Sequence, residues 1–248
     1  MNARDQVERI KSFINDYFSK HNLGGVVLGI SGGKDSAVVL ALMVKALGKD
    51  NVVGVTMPCH SNEQDRIDAI SLANHYGIRL LNMDLTETFD TFTKEAMKLN
   101  EFVISEDSEI NLKPRLRMST LYYIAQMLSV KENKRYIVAG TSNKCEEYVG
   151  YFTKGGDSVC DIKVLSDFTV EEVYQLGEEL NVPHNILYKT PSDGLSGKSD
   201  EEKLGVKYSD ITKVINDQEI DKELEEKIKR LHKNNLHKLH VVKYLKWN

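Results

Sequence analysis

Short apolar runs alternate with amphipathic segments over the first two thirds of the chain, and this alternation limits the possible folds more than any other feature. Runs rich in apolar residues predict strands at 25–30, 51–57, 79–84, 135–141 and 161–165. Three- and four-residue spacing predicts helices at 2–21, from 35, and at 62–75, 86–99 and 112–132. In the 62–75 helix we expect Ile67, Ile70 and Leu72 to face the core. The pattern predicts an α/β fold: a doubly wound, mostly parallel sheet with helices on both faces.

The length, and a change of character near the carboxyl end, indicate the domain organisation. A chain of 248 residues can bury one full core, so we expect a single domain over 1–248. The polar stretch at about 191–200 interrupts the periodic pattern with glycine, serine and proline, which predicts a flexible lid loop. The segment at about 221–248 is expected to be a basic, amphipathic helical tail.

Composition disfavours several partners and locations. Lysine and arginine number 33 against 37 acidic residues, and a formal charge of -4 is not the basic field typical of nucleic-acid binders. The cysteines Cys59, Cys145 and Cys160 are widely spaced and form no CxxC pair, as is usual in a reducing compartment. The amino terminus lacks an apolar signal-peptide core, and the apolar run at 37–47 is too short to cross a membrane. We expect a cytoplasmic protein without nucleic-acid or membrane partners.

The turn between the first strand and its helix has the sequence Ser31-Gly32-Gly33-Lys34-Asp35-Ser36. Free backbone N–H groups and the helix dipole make such a turn an anion site. It does not match the Walker A pattern, because Leu28 replaces the first glycine and Asp35 follows the lysine. A carboxylate among phosphate ligands requires a cation between them, so Asp35 is predicted to hold Mg²⁺. The alternative is that Asp35 only caps the helix.

This hexapeptide resembles the SGGxDS pyrophosphate loop of the ATP pyrophosphatases, which include GMP synthetase, argininosuccinate synthetase, tRNA-modifying enzymes and NAD synthetases. Residues 140–157 resemble the GTxNxxExxxGYxTxxGD signature of the NAD synthetases, and 113–123 and 191–208 resemble two further segments of that family. The similarity covers nearly the whole chain. It implies a Rossmann-like fold of the adenine nucleotide alpha hydrolase type.

The resemblance also implies the reaction: a carbon–nitrogen ligase that amidates deamido-NAD with ammonia through a nicotinyl adenylate, releasing AMP and pyrophosphate from ATP. Ammonia is the expected nitrogen donor because one helix precedes the phosphate loop, where glutamine-dependent relatives carry an amidase domain. A separate glutaminase subunit is the alternative. The family implies a homodimer, for which the apolar stripes near 112–128 are interface candidates, with a plain core helix as an equal alternative.

The resemblance implies three groups of site residues. The ATP site would comprise Ser31, Gly32, Gly33, Lys34, Asp35, Ser36, Thr141 and Ser192. The deamido-NAD site would comprise Arg115, Lys154, Asp161, His237 and Lys238. Asp35 and Glu146 would hold Mg²⁺, and catalysis would depend on Asp35, Glu146, Lys154 and Asp161. Paired carboxylates suit a cation that bridges phosphate oxygens, and lysine and arginine suit the oxyanions of a dinucleotide.

The chain departs from the family pattern at Val170, where many members have a lysine that reaches the ATP phosphates. Lys34, Lys189 or Lys198 could supply that charge instead. Two other functions stay open. A tRNA-modifying ATP pyrophosphatase would share the phosphate loop, with the basic tail as its RNA-binding segment. A nucleotide-binding module without turnover has only Val170 in its favour.

Overall fold

The computed structural model describes residues 1–99, 105–189 and 199–239. Its strands are β1 (Gly25–Gly29), β2 (Val52–Thr56), β3 (Arg79–Asn82), β4 (Tyr136–Gly140) and β5 (Ile162–Lys163). Its helices are α1 (Ala3–Lys20), α2 (Lys34–Leu47), α3 (Glu63–Tyr76), α4 (Thr86–Ala96), α5 (Glu106–Glu132), α6 (Lys144–Val149), α7 (Val170–Glu179), α8 (His184–Leu187), α9 (Asp200–Leu204), α10 (Tyr208–Ile215) and α11 (Lys222–Leu239). Most of the predicted lid and the end of the predicted tail lie outside the described residues.

The described strands form one sheet in the order β3-β2-β1-β4-β5, and every pairing is parallel. In the central strand, Val26 pairs with Val52 on one side and with Ile137 on the other. Helices connect the strands, as parallel pairing requires. The predicted doubly wound α/β fold is confirmed. The order of strands reverses between β1 and β4, and ligands of such sheets bind at that switch point.

Both faces of the sheet are covered, because successive side chains of a strand point to opposite faces. Val26 and Leu28 pack on one face in a cluster with residues of α1, α2 and α7. Val27 and Val138 pack on the other face with residues of α4 and α5. Fully buried side chains of this kind each contribute about 1.5–3 kcal/mol. The sheet is therefore a rigid platform for the loops at its carboxyl edge.

A third apolar cluster lies beside the sheet, among α6, α7, α10 and α11. Gly150 follows α6 with φ +67° and lies so near α11 that a Cβ atom there would be 2.3 Å from Cβ of Asn235. Asn235 also donates its side-chain N–H to the carbonyl of Val149. Helix α11, the described part of the predicted basic tail, is thus fastened over the end of α6. No helix within the described residues is long and apolar enough to cross a membrane.

The inward face predicted for α3 is wrong in part. Leu72 is fully buried, but Ile67 and Ile70 are 47% and 36% exposed. The buried stripe instead contains Ala69, Leu72 and Ala73, which follow helical spacing. At about 100° per residue, Ile67 points nearly opposite to Ala69. Small alanines let α3 approach the sheet closely, and this packing decides the rotation of the helix.

Candidate active site

A cavity of about 860 Å³ opens at the carboxyl edge of the sheet, at the switch point between β1 and β4. Its floor includes the glycine turn after β1 and the segment after β4. Residues of α5 and of the loop that follows α6 also line the cavity, and these two elements are in contact through a hydrogen bond from the Thr153 hydroxyl to the side-chain oxygen of Asn111. Two segments that are distant in sequence therefore meet in one crevice, as the predicted topology required.

The glycine turn wraps tightly around the beginning of α2. Gly32 has φ +78°, and a Cβ atom there would be 2.6 Å from the carbonyl oxygen of Asp65. The Ser31 hydroxyl accepts from the Gly33 N–H at 3.3 Å, and the Ser36 hydroxyl donates to the Gly33 carbonyl at 3.0 Å. The two serine hydroxyls are themselves 3.2 Å apart. The turn is thus preformed, with the amino end of α2 directed into the cavity, an arrangement suited to phosphate.

The two predicted metal ligands are brought together by Asn143, which is fully buried. Its side-chain N–H donates to Oδ1 of Asp35 at 3.1 Å, and its backbone N–H donates to Oε2 of Glu146 at 3.1 Å. Its side-chain oxygen accepts from the backbone N–H groups of Cys145 and Glu146. Asn143 therefore caps α6 and orients both carboxylates. The sequence analysis gave it no role, although Asn143 and Glu146 have the spacing of a capping box.

Lys34 is the cation of this cluster. Its side chain is only 3% exposed, and Nζ donates to Oδ2 of Asp35 at 2.7 Å. The rings of Tyr174 and Tyr208 lie 6.0 and 5.7 Å from Nζ. Burial acts to lower the pKa of Lys34, but the carboxylates of Asp35 and Glu146 outweigh burial and raise its pKa above the usual value. The ammonium is therefore charged at neutral pH.

The charged form of Glu146 is disfavoured, in contrast to that of Lys34. Burial, followed by repulsion from Asp35, raises the pKa of Glu146 well above its ordinary value. A divalent cation between the two carboxylates would remove this repulsion. Within the described residues, no group of three or more His, Cys, Asp or Glu side chains could hold a metal ion. Two carboxylates beside a phosphate loop nevertheless fit Mg²⁺, because this ion commonly combines one or two protein carboxylates with phosphate oxygens and water.

The predicted ATP residues within the described chain lie on this cavity. The six residues from Ser31 to Ser36 line it, together with Thr141 and Glu146. Ser192 lies outside the described residues. Val170 is 5% exposed and packs in the apolar cluster with Cys145 and Tyr208. Of the cations that could replace a lysine there, Lys34 contacts Asp35, Lys189 is paired with Asp65 and Asp68 on α3, and Lys198 lies outside the described residues.

The predicted deamido-NAD residues divide into two groups. Lys238 lines the cavity and donates to the carbonyls of Gly150 and Phe152 at 2.9 and 3.2 Å. Arg115, Lys154 and His237 form a chain at the rim, outside the lining. Arg115 donates to the carbonyl of Lys154, whose Nζ donates to the carbonyl of His237.

Asp161 also lies outside the cavity lining, just before β5. Its Oδ2 accepts from the backbone N–H of Val138 at 2.8 Å, and its Oδ1 accepts from the hydroxyl of Tyr122 at 3.2 Å. The side chain therefore connects β4 and α5 below the cavity. In this conformation its contacts are those of a residue that supports the fold of the site.

Arg117 and Asp200 are among the polar residues of the cavity that the sequence analysis did not assign to the site. Arg117 donates to the carbonyl of Met57 and to the hydroxyl of Ser61, both at 3.2 Å. Asp200, at the start of α9, is buried and accepts from the hydroxyls of Tyr151 and Tyr208. Arg117 belongs to the same motif as Arg115, so its type was visible in the sequence. Which arginine faces the cavity depends on the rotation of α5.

Comparison with known proteins agrees with this geometry. A family profile described as NAD synthase matches residues 6–244. The NH(3)-dependent NAD(+) synthetase of Methanococcus aeolicus is 42% identical over 235 residues, covering 91% of this chain and 87% of that protein. A solved structure of NMN synthetase from Francisella tularensis superposes with a TM-score of 0.91 at 30% identity, covering 100% of both chains. NH3-dependent NAD synthetase from Campylobacter jejuni, solved with a nitrate ion, gives 0.79 at 29% identity and covers 99% of this chain and 100% of that one. The chain belongs to the NAD synthase family.

Proposed function

We propose that this enzyme amidates deamido-NAD with ammonia and splits ATP into AMP and pyrophosphate. The observation that carries the proposal is the pair of carboxylates, Asp35 and Glu146, which Asn143 holds beside a preformed phosphate loop. Relatives described as NH(3)-dependent NAD(+) synthetases, 34–42% identical over most of their length, support the same substrates. ATP, Mg²⁺, deamido-NAD and ammonia are the proposed ligands.

The residues of the site would act by position and charge. The N–H groups at the start of α2 would bind the β and γ phosphates, and Asp35 and Glu146 would hold Mg²⁺, which neutralises charge on the leaving pyrophosphate. A nicotinate carboxylate oxygen attacks the α phosphorus, and the bond from that phosphorus to the bridging oxygen breaks toward pyrophosphate. Ammonia then attacks the acyl carbon, loses a proton, and displaces AMP. No protein nucleophile is required, because positioning and electrostatic stabilisation lower the barrier.

A mononucleotide is the second candidate substrate. The structure described as NMN synthetase superposes with a TM-score of 0.91, against 0.79 for the Campylobacter NAD synthetase. Amidation of nicotinate mononucleotide would use the same chemistry, because only the adenylyl half of the substrate differs. The two alternatives named from the sequence have less support. Intact Asp35 and Glu146 favour turnover over binding alone. Lys238 of α11 donates into the site loop, which favours a structural role for this helix over RNA binding.

A single assay separates the candidates: Mg-ATP with ammonium or glutamine, and either deamido-NAD or nicotinate mononucleotide, following AMP, pyrophosphate and the amidated product. We expect product and AMP in equal amounts from ammonium, with the higher kcat/KM for deamido-NAD. A higher value for the mononucleotide would assign the second substrate. Asp35→Asn should cut turnover sharply without unfolding the protein. Pyrophosphate without amide, or wild-type turnover in that variant, would refute the proposal.

We also propose a homodimer in the cytoplasm. Helix α5 has two apolar faces: Ile124 and Leu128 are buried in the core, whereas Tyr123, Met127 and Val130 are exposed. The core-helix interpretation and the proposed interface therefore concern different faces of this helix. Exposed apolar side chains on one helix face are typical of an interface. The three cysteines are free thiols, which is usual in a reducing compartment.

A further inference from the structure

Both carboxylate oxygens of Asp35 already have partners. Oδ1 accepts from Asn143, and Oδ2 accepts from the ammonium of Lys34 at 2.7 Å. A metal ion bound to this carboxylate would lie within a few ångströms of that ammonium, and the two positive charges would repel. Lys34 and a divalent cation therefore compete for the same oxygen.

The surroundings of Lys34 show why its ammonium rests there. The charge is enclosed by Asp35, Glu146 and the rings of Tyr174 and Tyr208. An ammonium removed from water needs such partners. Val170 of α7 packs in the same apolar cluster as Tyr208, whose ring lies 5.7 Å from the Lys34 ammonium, so the charge in this region comes from the phosphate loop and not from position 170.

Lys34 also has another partner within reach when nucleotide is bound. It is the first residue of α2, at the end where the N–H groups would hold phosphate. Its four-carbon stem is flexible and its ammonium has three rotatable donors. Moving the ammonium from Oδ2 of Asp35 to a phosphate oxygen would free the carboxylate for the metal and keep the lysine paired.

We propose that Lys34 is an internal counter-ion that occupies the metal site of the nucleotide-free enzyme and transfers to an ATP phosphate when Mg-ATP binds. A metal ion that binds without nucleotide must displace the Lys34 ammonium and leave that ammonium without a partner. Such a metal ion therefore binds weakly. Metal together with nucleotide gives the lysine a new partner. This transfer of the lysine makes the binding of metal and the binding of nucleotide mutually dependent. The inference rests on the proposed function only in assuming that Mg-ATP binds here.

The test measures binding, not turnover. Mn²⁺ is titrated by electron paramagnetic resonance with and without α,β-methylene-ATP, whose α–β link cannot be cleaved. Lys34→Met should bind Mn²⁺ about tenfold tighter without nucleotide, and its coupling between metal and nucleotide should fall by about tenfold or more. Lys34→Gln provides a second variant of similar length and polarity. Thermal unfolding checks that each variant is folded.

Lys144→Met is the matched control, because it also removes one positive charge from the start of α6 near Glu146. Lys144 is paired with Asp167 and contacts neither predicted metal ligand through its side chain. The control should behave as wild type. If both Lys34 variants leave Mn²⁺ affinity without nucleotide unchanged or weaker, the inference is wrong while the ATP site stands. If wild type binds no metal–nucleotide pair, the proposed function fails and this inference fails with it.

Discussion

Asn143 shows how one residue, through its backbone and its side chain together, can determine the geometry of a site without lining the cavity. It is fully buried and makes hydrogen bonds to both predicted metal ligands while it caps α6. Removal of its side chain would release the Asp35 carboxylate and the cap of α6, which holds the Glu146 backbone, while the backbone N–H that binds the Glu146 carboxylate would stay. Groups that orient metal ligands in this way are worth a large share of metal affinity.

We therefore predict that Asn143→Ala weakens binding of Mn²⁺ with α,β-methylene-ATP by about 10–100-fold, and lowers stability by about 1 kcal/mol through loss of the cap. Asn2→Ala is the control, because Asn2 caps α1 and does not line the cavity. That variant should lose stability only. Calorimetric titration and urea unfolding measure the two effects. Wild-type affinity in Asn143→Ala would show that the metal ligands do not depend on the side-chain bond to Asp35 or on the cap of α6.

The sequence predicted residue types better than residue contacts. The family resemblance predicted that Asp35 and Glu146 share one site, and in the structure they lie near each other because they follow the neighbouring strands β1 and β4. The hydrogen bonds of Asn143 and the position of the Lys34 ammonium could not be predicted, because they depend on side-chain directions within a buried cluster. Arg117 and Arg115 show the same limit: both were visible in one motif, but only packing of α5 decides which one lines the cavity.

At the scale of elements, the carboxyl end of α5 is joined to two strands by Glu132. Its carboxylate accepts from the hydroxyl of Tyr136 at 2.6 Å and from the guanidinium of Arg79 at 2.7 Å. These hydrogen bonds, that of Tyr136 first, lower the pKa of Glu132 from 4.5 to about 2. A carboxyl group whose pKa is lower in the folded than in the unfolded protein stabilises the fold at pH values above the unfolded-state pKa. This stabilisation is lost as the pH falls from about 4.5 to about 2.

We predict that Glu132→Gln lowers stability at pH 7 by about 1 kcal/mol, a modest amount because the side chain is partly exposed to water. The difference from wild type should shrink between pH 4.5 and pH 2. Urea unfolding across this pH range is the measurement. Glu95→Gln, which breaks an exposed pair with Lys98, is the control and should change little. A difference that grows as the pH falls would contradict the assignment.

Val170 of α7 is buried in the same cluster as Tyr208, whose ring lies 5.7 Å from the ammonium of Lys34 at the start of α2. We predict that Val170→Lys lowers stability by more than about 2 kcal/mol, because a second ammonium would enter the space beside Lys34. Adding Lys34→Met should recover at least about 1 kcal/mol of that loss. A double-mutant cycle by urea unfolding without metal gives the coupling. Strictly additive losses would show that the two side chains do not share this space.

Helices and strands could be predicted from the sequence where the spacing of their apolar residues was regular. The strands agree to within a few residues, since buried runs closed by glycine or proline have sharp ends. The face of α3 was predicted incorrectly because two alanines, rather than isoleucines, pack on the sheet. The start of α5 lies at Glu106, where Ser105 and Ser108 form a capping box, and not at 112, because the apolar spacing begins later than the helix. The spacing of apolar residues indicates only the buried part of a helix, and α5 extends beyond that part.

At the scale of the whole molecule, the exposed apolar face of α5 is the place to test assembly. Val130 is 81% exposed, and Tyr123 and Met127 lie near it on the same helix. We predict that Val130→Asp converts a dimer to a monomer in sedimentation velocity, because an aspartate buried in an apolar interface has no partner. Phe13→Asp, an exposed aromatic on α1, is the control and should leave the dimer intact. A wild-type monomer, or an unaltered dimer in Val130→Asp, would refute the proposed interface.

The order of strands has a consequence for how the protein is made. The central strand β1 is synthesised before the other strands, yet one of its two neighbours is β4. Gly25 therefore cannot pair until Tyr136 has been synthesised. A growing chain on the ribosome therefore carries an unpaired apolar edge while the residues between Gly25 and Tyr136 are synthesised, and such edges can pair incorrectly. Asp35 likewise emerges long before Glu146. The site can bind nucleotide only after β1 and β4 have paired. Nucleotide binding would therefore stabilise the folded state of the newly synthesised chain.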